Sequence, residues 1–193
     1  MRRAPQTQTV AMLEMATERN AAQAPVALPE AAFLFVDIAG FTAFTESEGD
    51  ARAAELAWRL RLGVEAQLGH DAHVIKTLGD AAMVRIADPG EAASAALRIL
   101  ARALPGAGDP PLRVGVHCGP AIELDGDFFG AAVNLAARVA DAAGPGEVLV
   151  TDGVAGAARN RGLQVQALGA HTLRNISTPV PLHAVRDGGD VEF

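Results

Sequence analysis

Tyrosine is absent from this chain, tryptophan and cysteine occur once each, and no apolar run approaches the length of a membrane span. Each scarcity excludes something. A lone Cys118 cannot close an internal disulfide, which fits a reducing compartment. The first residues hold Arg2 and Arg3, but Glu14, Glu18 and Arg19 interrupt the only apolar candidate, so no signal peptide is read. With no stretch of about 18 apolar residues, no membrane span is expected, and the sequence reads as a soluble cytoplasmic protein. Basic residues are also in short supply, 16 against 23 acidic ones. That balance argues against a nucleic-acid partner, because affinity for phosphate backbone needs a basic face.

What is present is apolar material, half of the 193 residues, supplied mostly by Ala, Val, Leu and Ile. This is enough for one domain with a short appendage. Residues 1–30 read as that appendage: a short helix over 10–20, then the proline-punctuated linker "APVALPE". The domain proper is expected over 31–187, with 188–193 as a tail.

From Ala31 onward the hydrophobic period alternates. "AAFLFVDI" is a continuous apolar run, as expected of a strand covered on both faces. Leu56, Leu60 and Val64 recur at helical spacing within 50–68. Residues 73–87 form two strand-like runs around Gly79-Asp80, a hairpin signal. Pro89 opens a second helix over 88–104, and 112–119 is another strand. A third helix spans 130–144, followed by a strand at 146–151 and short strands at 163–168 and 180–185. The order predicts an α+β fold: a ferredoxin-like βαββαβ sandwich with a C-terminal αβ extension and its helices on one face of the sheet.

In such a sheet the first and third strands are central, antiparallel neighbours. Asp37 ends the first strand and Asp80 sits in the turn that starts the third, so the two carboxylates should face each other. Close carboxylates repel unless a cation lies between them. Oxygen donors with a need for charge compensation point to Mg²⁺ or Mn²⁺, and a pair of such ions suits phosphoryl displacement. Taken alone, Asp37 reads as a helix cap and Asp80 as an ordinary turn residue. The loop "DIAGFT" leaves the strand for a helix, with Gly40 allowing close backbone approach and exposed amides suited to phosphate.

A second group lies elsewhere. Lys76 stands in an apolar strand, Asp127 in the "DGDFFG" loop before a helix, and Asn134 and Arg138 four apart on one helix face. Each has an ordinary explanation as an edge lysine, a cap or a solvated helix residue. Together they offer a base reader, a hydrogen-bonding amide and a guanidinium suited to phosphate charge.

The stretches "FLFVDIAGFTAFTE", "VIKTLGDAAMV", "LRVGVHCGPAIELDGDFFGAAVNLAARVADAAGPGEVLVTD" and "TLRNISTPVPLHAV" carry a resemblance to the catalytic domain of class III adenylate cyclases, the nucleotidyl cyclase family, of bacterial soluble type. It covers about residues 31 to 186. The resemblance implies that Asp37 and Asp80 bind two divalent cations, with the Ile38 carbonyl as a further ligand, and that Gly40, Phe41 and Thr42 hold the triphosphate. It implies that Lys76 and Asp127 read the adenine of ATP, that Asn134 orients the ribose, and that Arg138 stabilises the transition state. It also implies a head-to-tail homodimer in which one chain supplies the aspartates and the other supplies the remaining residues. Where the family often has Lys-Gly, this chain has Arg174-Asn175, so a phosphate contact by Arg174 is the weakest of these expectations. The rival readings are a cyclase-like domain that binds nucleotide without turnover, a purely structural ferredoxin-like interaction module, a guanylate cyclase, and a diguanylate-forming enzyme. The last would want a Gly-Gly-acidic hairpin where this chain has "LGDAA".

Overall fold

The computed structural model describes residues 24–188 apart from Pro105 and Ala107. The helix expected over 10–20 lies outside the described residues. Eight strands form one sheet in the order β2-β3-β1-β4-β6-β8-β7, with the short β5 paired to β4. In chain order these are β1 (Val26–Ile38), β2 (Ala72–Leu78), β3 (Ala81–Ile86), β4 (Leu112–Leu124), β5 (Asp127–Phe129), β6 (Val148–Thr151), β7 (Gln164–His171) and β8 (Val180–Arg186). The helices are α1 (Phe41–Glu48), α2 (Asp50–Glu65), α3 (Pro89–Arg102), α4 (Ala131–Ala142) and α5 (Asp152–Asn160). No helix among the described residues is long and apolar enough to cross a membrane.

The apolar run of β1 dictates two covered faces, because Phe33 and Leu34 point opposite ways and both are fully buried. Leu34, Val36, Val84, Val116 and Val150 pack with Leu56, Leu60 and Val64 of α2, Ile99 of α3 and Val154 of α5. On the other face Phe33 and Met83 meet Phe128 and, from α4, Ala132, Val133 and Ala136. The expectation of helices on one face alone is therefore corrected: α4 lies opposite the other packed helices. Gly115 of β4 shows how close it lies, since a Cβ there would come within 2.0 Å of the Ala140 nitrogen.

One boundary also differs from the sequence reading. The stretch taken as a linker is the start of β1, which pairs with β4 from Val26↔Glu123 onward. Its ladder is irregular between Leu28 and Ala31, where Pro29 stands close to Pro120 of β4. Proline lacks the amide a ladder needs, so both strands continue past it only by breaking register. The helix of the expected C-terminal αβ extension is α5, nine residues containing Gly153 and Gly156 that bury Val154, Ala155 and Ala158. Glycine weakens helix propensity, and here packing overrides it.

Candidate active site

The central strand β1 delivers Asp37 to one end of the sheet, between Ala81 of β3 and Arg113 of β4. Ile38 follows with its side chain buried, and its amide donates to the Asp80 carbonyl at 3.3 Å. That bond ties the Gly79-Asp80 turn to the end of β1, so the two carboxylates meet as the sheet order requires. Burial raises the pKa of Asp80, and the charge and hydrogen bond of Asp37 raise it further, against the pull of its own backbone amide and of Arg113. Asp37 is answered by Arg113, whose Nε donates to Asp37 Oδ2 at 2.7 Å and whose terminal nitrogen bonds the same oxygen.

Arg113 pairs with Asp37 alone, while Asp80, its pKa raised first by burial and then by Asp37, has no ion-pair partner among the described residues. A hard divalent cation fits that donor set. Among the described residues no group of three or more His, Cys, Asp or Glu side chains gathers to hold a metal. Gly40 adopts φ 76° and ψ 23°, a left-handed conformation that favours glycine, and α1 begins at Phe41 with no side-chain cap on its amides. Uncapped first-turn amides are suited to an anion.

A second cluster forms around Lys76. Its Nζ lies 2.8 and 2.6 Å from the two carboxylate oxygens of Asp127 and 5.7 Å from the Phe129 ring centroid. Asp127 is set by β5, which folds back on β4 through Asp125 (φ 52°) and Gly126 (φ 76°), both left-handed as in a type I′ hairpin. Burial alone would raise the pKa of Asp127, but the Lys76 hydrogen bond, the Phe128 amide and the Lys76 charge outweigh it and the net shift is downward. Lys76 is the only lysine in the chain, against fifteen arginines, a compositional signal the sequence reading did not use. It lies in β2 two residues before that strand ends, and Asp80 lies in the turn that follows. Among the described residues no hydrogen bond or ion pair joins the Lys76–Asp127 pair to the Asp37–Asp80 pair.

Asn134 is exposed on α4, and Arg138, one turn on, is half-buried and bonded to Asp141 at 2.5 Å. Arg113 also reaches α4, donating to the Asp141 carbonyl at 3.4 Å. Arg113 and Asp141 were missed in the sequence, although a charged residue inside "LRVGVHCG" is the same signal that singled out Lys76. Arg174 lies exposed on the loop between β7 and β8 and joins neither cluster; Asn175 beside it takes φ 62°, the left-handed conformation that a glycine would otherwise supply. His117 and Cys118 have structural partners. His117 Nδ1 is 2.7 Å from the Thr151 hydroxyl, and burial with a Glu30 hydrogen bond pushes the Cys118 thiol up to about 11.

A family model described as the adenylate and guanylate cyclase catalytic domain matches residues 25–183. A pH-sensitive adenylate cyclase of Mycobacterium tuberculosis is 35% identical over 158 residues, which is 80% of this chain and 40% of that protein. A putative adenylate cyclase of Rhizobium meliloti is 32% identical, over 78% of this chain and 27% of its own length. The chain thus spans well under half of these relatives. Among solved structures, an adenylyl cyclase of P. aeruginosa superposes with a TM-score of 0.74 at 21% identity, covering 85% of this chain and 96% of that one. An adenylate/guanylate cyclase/hydrolase of Silicibacter pomeroyi gives 0.70 at 25% identity, covering 84% and 98%.

Proposed function

Because the chain belongs to the family of adenylate and guanylate cyclase catalytic domains, we propose that it converts ATP to 3′,5′-cyclic AMP and pyrophosphate at sites completed by two copies of itself. The observation that carries this reading is the meeting of Asp37 and Asp80, two half-buried carboxylates with charge compensation for one. Relatives named as adenylate cyclases support ATP as the nucleotide.

The ribose 3′-oxygen attacks the α-phosphorus, the bond to the bridging oxygen breaks, and pyrophosphate leaves. Asp37, Asp80 and the Ile38 carbonyl hold the divalent cations, Mg²⁺ or Mn²⁺. Bound there, those ions supply Lewis acidity that eases loss of the hydroxyl proton and neutralises the leaving group. The Gly40, Phe41 and Thr42 amides at the start of α1 hold the triphosphate. From the second copy, Lys76 and Asp127 hydrogen-bond the base edge, with Lys76 donating and Asp127 accepting. Asn134 orients the ribose. Arg138 stabilises charge on the pentavalent phosphorus, so Arg138→Ala is expected to lower kcat by about 10² to 10³, as loss of one preorganised donor does elsewhere. Arg174 is left as a peripheral phosphate contact.

The test is product formation from ATP and, separately, GTP, by wild type and Asp37→Ala, with each cation. Cyclic AMP from wild type only is the expected result. Cyclic GMP instead overturns the base assignment, and no product from a folded dimer overturns catalysis.

A further inference from the structure

We propose that Asp141 is a positioning residue for Arg138, and that it links the cation end of one active site to the transition-state arginine of the other; the proposal rests on the cyclase reading above. Asp141 sits in the last turn of α4, where the helix dipole disfavours a carboxylate, and no basic residue of that turn offsets it. Its side chain is half-exposed, and an exposed ion pair contributes little to stability. What the pair does accomplish is orientation: the Asp141 carboxylate fixes the Arg138 guanidinium at 2.5 Å across one turn. A guanidinium held in place before the reaction loses less freedom when charge develops beside it.

The same residue has a second partner. Its carbonyl accepts from Arg113 at 3.4 Å, and both Arg113 bonds to Asp37 fall on a single oxygen, Oδ2. Asp37, Arg113, Asp141 and Arg138 therefore form one continuous line of contacts across the end of β1, β4 and α4. In a head-to-tail pair the two ends of that line belong to different active sites. A cation held by Asp37 would draw charge from the carboxylate that binds Arg113. A shift of Arg113 would carry its bond to the Asp141 carbonyl with it, and the change would reach Arg138 through the Asp141 carboxylate.

Asp141→Asn keeps the backbone carbonyl and removes only the carboxylate charge. It is expected to lower kcat about tenfold with little change in the KM for ATP, and Asp141→Glu is expected to recover most of the loss. Equal rates for wild type and Asp141→Asn, or equal losses for Asn and Glu, overturn the positioning role. The link has its own readout, which needs no turnover. In the full chain with ¹⁵N-labelled arginine, the Arg138 Nε–H resonance, identified by its loss in Arg138→Lys, is expected to move when Mg²⁺ is added. It is expected to stay in place in Asp141→Asn. A resonance unmoved in wild type, or moved equally in the variant, overturns the link. A wild type that makes no cyclic nucleotide would sink the cyclase reading while leaving the resonance result to stand by itself.

Discussion

At Asp80 function and stability pull in opposite directions. An acid whose folded pKa is raised holds its proton more tightly folded than unfolded, so stability falls as pH rises from the ordinary aspartate range through the raised value, and it stays lower above that. Asp80→Asn is therefore expected to melt higher than wild type at neutral pH, with the gap closing at acid pH, while cation-dependent turnover is lost. Calorimetry across pH checks the first half and a product assay the second. Asp37, Asp80, Lys76 and Asp127 were all legible in the sequence, because each carboxylate or amine interrupts an apolar or turn pattern that neighbouring strands bring to a partner. Arg113 was not, since its purpose appears only when β4 is laid beside β1. Asp141 was hidden differently: an acid near a helix end looks like a solvated residue until the arginines on either side are seen.

Among the elements, α4 is tightly constrained. Its backbone lies on Gly115 with no room for a methyl group, and it carries both Asn134 and Arg138. Gly115→Ala is expected to cost about 3 kcal/mol, the upper range for overpacking a core, and to reduce turnover of the protein that remains folded. Urea titration alongside an activity assay separates the two effects. Helical and strand periods made most elements readable. The exceptions have local causes: Pro29 and Pro120 ended strands on paper that continue past a register break, and Gly153 and Gly156 left the helix of the αβ extension, α5, without bounds. The β4–β5 hairpin could have been read from Asp125-Gly126, a dipeptide suited to two left-handed residues, had the strand not been closed at Gly119.

For the whole molecule, the division between the clusters makes a stringent test possible. Asp37→Ala and Arg138→Ala each remove a residue from opposite halves of the proposed site, so each variant alone is expected to be inactive. Mixed and allowed to exchange subunits, half the dimers pair unlike chains and one of their two sites is intact, giving roughly a quarter of the wild-type rate. Activity that does not return on mixing would mean that a single chain supplies both residues to a site, and would exclude the head-to-tail arrangement. The pairing of Lys76 with Asp127 has a practical consequence as well. A chain with one lysine has one side-chain amine, so reductive methylation with ¹³C-formaldehyde writes a single side-chain NMR reporter at the place proposed for base recognition, the N-terminal amine being its only companion signal. Dimethylation keeps the charge, and the methyl signals would register the arrival of a nucleotide base directly, without a substitution anywhere in the protein.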